Sequence, residues 1–63
     1  MNNAASNRNK AVVMEKMAAF SLYLDEGMAA VERMYPQHIA FVQHHLDKTM
    51  AEVKKELLHA QAA

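Results

Sequence analysis

Sixty-three residues permit one domain at most, with a marginal core, because chains this short bury only about 60% of the surface they expose when unfolded. Cysteine is absent, which excludes disulfides, thiolate metal sites and cysteine catalysis together. Seven lysines and arginines balance seven aspartates and glutamates, and the balance holds in each half, so the basic excess expected of a dedicated nucleic-acid binder is missing.

The opening stretch MNNAASNRNK is polar and has no apolar period. It reads as a flexible N-terminal tail over residues 1–9, closed by a helix cap from Ser6, Asn7 or Asn9. No apolar run follows a basic start, so the expectation is a cytoplasmic protein without a leader. The longest uncharged apolar-rich run, MAAFSLYL from Met17 to Leu24, falls far below the roughly 20 residues of a membrane span. No membrane partner is expected.

From residue 10 the pattern changes. Val13, Met17, Phe20, Leu24, Met28 and Val31 follow one another at steps of three and four, the stripe of an amphipathic helix over about 10–34. Gly27 interrupts it. One reading makes it a small residue on the inner face that lets a neighbouring helix come close. The other makes LDEGM a break, which leaves 28–35 as a short separate helix with a single arginine to read base edges.

Pro36 removes a backbone donor, pushes Tyr35 out of helical geometry and suits the first position of a new helix. A second stripe follows in Ile39, Val42, Leu46, Met50, Val53 and Leu57, giving a helix over about 36–60. Two segments of matched length, each about 36 Å at 1.5 Å per residue, predict an all-α antiparallel helical hairpin turning at Tyr35–Pro36, with residues 10–63 as its single domain.

Two helices meeting along one seam leave the open side of both stripes wet. Pairing two hairpins into a four-helix bundle covers it, so a homodimer is expected, with Val13, Met17, Phe20, Leu24, Gly27, Met28, Val31, Ile39, Val42, Leu46, Met50, Val53 and Leu57 forming its core. Leu22, Phe41 and Leu58 fall off the stripes. With Met14 and Met34, whose flexible thioethers adapt to varied surfaces, they are the candidate contacts to a different protein partner.

Other chemistries find little support. His44 and Asp47 share a face of the second helix, beside its His38, His45 and His59, but the repeated Glu-x-x-His pattern of bundle metal sites is lacking; the other histidines read as solvated. Ser6, Ser21 and Thr49 have no adjacent base and acid to activate them, and one glycine is too few for a phosphate-cradling loop. No cofactor, metal site or catalytic residue is assigned. The reading is a small non-enzymatic regulatory protein acting by protein–protein binding, as an inhibitor, anti-activator or adaptor. A nucleic-acid-associated regulator is the first alternative, binding phosphate through Arg8, Lys10, Lys16, Lys54 and Lys55 at the open end of a hairpin dimer. A purely structural oligomerisation segment is the second.

Overall fold

The computed structural model describes the backbone of residues 3–62 and the side chains of residues 10–60. It is all-α, with α1 at Asn3–Glu26, α2 at Met28–Met34, α3 at Ile39–His44 and α4 at Met50–Ala62; a single 3-10 turn, Pro36–His38, joins α2 to α3. Where the sequence reading has two long helices, the described residues form four, broken at Gly27, at Tyr35–Pro36 and at residues 45–49.

Each break has a local cause. The α1 helix begins at Asn3, inside the stretch read as a tail. Nothing between Asn3 and Glu26 is a glycine or proline, and the asparagines and serine there cost only tenths of a kcal/mol each against alanine. At Gly27 the backbone takes φ 94°, ψ 174°, a region open essentially to glycine alone. Its N–H still donates to the Tyr23 carbonyl at 2.9 Å, which closes α1. A Cβ at this position would meet nothing within 4 Å. The glycine is therefore needed for its backbone angle and not for the close helix approach that the first reading of Gly27 requires. The alternative reading, a break at LDEGM, describes the chain.

At the second break Tyr35 leaves helical geometry (φ −135°, ψ 57°) and Pro36 opens the 3-10 turn, as proline's missing N–H and fixed φ dictate. The third break begins where the His45 N–H bonds the Val42 carbonyl at 3.0 Å and the Lys48 N–H bonds the His45 carbonyl at 3.0 Å. The turn ends in a reciprocal cap. The Glu52 N–H donates to Thr49 Oγ1 at 3.2 Å, and the Thr49 N–H donates to Glu52 Oε1 at 2.8 Å. This is the capping box of a Ser/Thr-x-x-Glu sequence, and it starts α4 at Met50.

The helix α1 is the platform. α2, α3 and α4 each pack against it, and α2 also touches α3. Phe20 and Ala19 from α1, Val31 from α2, Val42 from α3 and Val53 from α4 form one fully buried cluster, with Leu22, Tyr23, Met28, Tyr35, Ile39, Phe41, Met50 and Leu57 half-buried around it. Phe20, Val31, Val42 and Val53 all lie on the stripes. Leu24 and Leu46, placed in the core by the same stripes, are exposed. Leu24 lies in the last turn of α1, just before Gly27 ends the helix. Leu46 sits in the turn after α3, outside any helix face. Val13 and Met17 are half-buried.

Candidate protein-docking surface

Two polar cross-links hold the short elements against their neighbours. His38, in the 3-10 turn, is buried, and its Nε2 lies 3.1 Å from Glu15 Oε1 on α1. His45, also buried, joins the end of α3 to α4: its Nδ1 donates to the Phe41 carbonyl at 2.8 Å, and its Nε2 lies 3.1 Å from Glu56 Oε1. Lys48 approaches the other oxygen of Glu56 at 3.6 Å. The reading of these histidines as solvated is corrected here. It assumed one continuous second helix, and the break at residues 45–49 turns His45 inward instead.

These links account for several candidate contacts. Phe41 is half-buried, its ring centroid 4.4 Å from that of His45, with the Lys16 ammonium 5.3 Å above its own ring. Lys16 is thus engaged in a cation–π contact instead of standing free for phosphate. Leu22 is half-buried against the core. Lys10, Lys54 and Lys55 are exposed, and Arg8 lies outside the residues whose side chains are described.

Among the exposed residues described, several are large and apolar. Met14 and Met34 are each 65% exposed, and Leu58, Leu24, Leu46 and Val12 are exposed as well. Val12 was not singled out from the sequence, since it lies off the stripe beside Val13. Between α1 and α2 runs an open groove of about 440 Å³, with Leu22, Ala30 and Met34 among its apolar lining and Asp25, Glu26 and Arg33 as its charged groups. It exists because the turn at Gly27 lays α2 back across the last turns of α1.

Catalytic chemistry has no assembled site among the described residues. Ser21 lines the groove without a histidine beside it, and the Thr49 hydroxyl is committed to its cap. No three His, Asp or Glu side chains converge as metal ligands among the described residues. No described helix is long and apolar enough to cross a membrane. The capping bonds from the Thr49 backbone and hydroxyl hold the Glu52 carboxyl below its ordinary value. Compared with known proteins, the chain matches no family model, no curated protein and no solved structure.

Proposed function

We propose that this chain is a small non-enzymatic regulatory protein that acts by docking on another protein, as an inhibitor, anti-activator or adaptor. In the same proposal two copies associate, each giving α1 and α4 as its long arms, into a four-helix bundle. The observation that carries the reading is the distribution of apolar side chains. Among the described residues six apolar ones are buried while six large ones stand exposed, Met14 and Met34 most of all. So small a core leaves much of the chain's apolar surface wet, and a flexible methionine face against a partner is a recurrent way to cover it. Met14, Met34 and Leu58 are the contacts on this reading.

The test is capture followed by reconstitution. The tagged protein is used to isolate binders from its host at 200 mM salt, and the captured protein is then purified and titrated against wild type and Met14→Glu. The variant is expected to bind at least tenfold more weakly, as loss of a central apolar anchor does, with an unchanged circular dichroism spectrum. Equal affinity for both chains contradicts the docking surface. Binding that collapses between 50 and 200 mM salt, or needs nucleic acid, points to phosphate contacts instead.

A further inference from the structure

The groove between α1 and α2 is net negative, a depression on α4 carries two lysines with Glu52 and Glu56 on the neighbouring side of Lys55, and both are apolar in part. Asp25 and Glu26 occupy the last turn of α1, where no basic residue stands. That is the negative end of the helix dipole, where a carboxylate is unfavourable. Neither forms an ion pair among the described residues. With Arg33 the groove carries one net negative charge over its lining of Leu22, Ala30 and Met34. On α4, Lys54, Lys55 and Leu58 lie together in a shallow surface depression. All three are exposed, and neither lysine has an ion-pair partner among the described residues.

We infer that the occupant of the groove is α4 of a second copy of this chain. Leu58 seats against Leu22 and Met34, and Lys54 and Lys55 neutralise Asp25 and Glu26. A twofold axis makes the contact twice, because a patch and its complement on one chain meet their counterparts on the other. The inference deepens the dimer part of the proposed function by naming its interface: it assigns Met34 and Leu58 to the second copy and leaves Met14, with Val12, for the heterologous partner. Opposite charges at the end of an uncompensated helix also select this alignment over others, since a shifted pairing sets like charges together.

A charge exchange tests it. One variant carries Asp25→Lys and Glu26→Lys, and the other carries Lys54→Glu and Lys55→Glu. Alone, each sets like charges across both contacts; mixed, the two chains restore opposite charges at both. By sedimentation at 150 mM salt, wild type is expected to be a dimer, each variant a folded monomer, and the equimolar mixture a 1:1 dimer. A control with Glu32→Lys and Asp47→Lys, which shifts net charge as the first variant does, is expected to remain a dimer with itself. A monomeric wild type overturns both the dimer and its interface. A dimeric wild type whose variants also stay dimeric, or do not pair when mixed, overturns this interface and leaves the dimer standing. Should a variant be unfolded by circular dichroism, the single changes Glu26→Lys and Lys55→Glu carry the same exchange, with the same outcomes deciding it.

Discussion

Thr49 shows how much one side chain determines. Its hydroxyl and backbone, paired with Glu52, supply the start of α4, and without them the turn after His45 has no defined end. Thr49→Ala is expected to lower stability by about 1 kcal/mol, as loss of a helix N-cap does, measured by urea unfolding at pH 7. The same pair sets a response to acid. Folding holds the Glu52 carboxyl below its ordinary 4.5, so its contribution is fully present above that pH and is lost as pH falls through the lowered folded value. Wild type is therefore expected to lose more stability than Thr49→Ala between pH 5 and pH 3, because the variant keeps only the backbone half of the cap. The signal was in the sequence as TMAE, threonine three residues before glutamate. It passed unread because the stripe through Leu46 and Met50 ran straight across it.

That lesson recurs among the elements. Stripe spacing found the large buried residues of all four helices, since a period of three and four survives a change of helix axis when the new helix begins in phase. Phe20, Val31, Val42 and Val53 all obey it. Spacing cannot locate the breaks themselves, and each break rotates the face that follows. Leu46 ends exposed in the turn after α3 and Leu24 in the last turn of α1, and Ala19 and Ala30 are buried although they are too small to mark a stripe. The buried histidines were illegible for a further reason. Their partners lie 23 and 11 residues away, and no local pattern reports a pairing of that kind. Of the proposed docking surface, Met14, Met34 and Leu58 were legible as apolar residues beside or off the stripes; the groove was not, since it depends on the angle between α1 and α2. One polar link ties α4 to the end of α3, from His45 to Glu56. Glu56→Ala leaves the buried Nε2 of His45 without its acceptor, and α4 is expected to be destabilised by on the order of 1 kcal/mol, the low end for an orphaned buried group because Glu56 is itself half-exposed. Hydrogen exchange checks this: the amides of Val53 to Leu57 should lose protection before those of Met17 to Tyr23. Equal loss in both helices contradicts a local role.

The whole molecule measures 40 × 22 × 16 Å, a long helix with three shorter ones laid on it. Everything after residue 27 reaches its place through one backbone angle. An alanine there is strained by about 1–3 kcal/mol in the observed conformation, while joining α1 and α2 into a straight helix removes the strain and gains propensity. That fused helix measures roughly 48 Å at 1.5 Å per residue, longer than the present molecule. It carries α3 and α4 away from the Phe20 cluster of their own chain. The limb can recover its burial on the α1 of another copy, which is domain swapping through a straightened hinge. Gly27→Ala is thus expected to give exchanged, elongated assemblies, visible in small-angle scattering as a larger maximum dimension. Unchanged dimensions in that variant contradict the hinge. On this view the solitary glycine keeps each copy's limb folded onto its own body instead of lent to a neighbour.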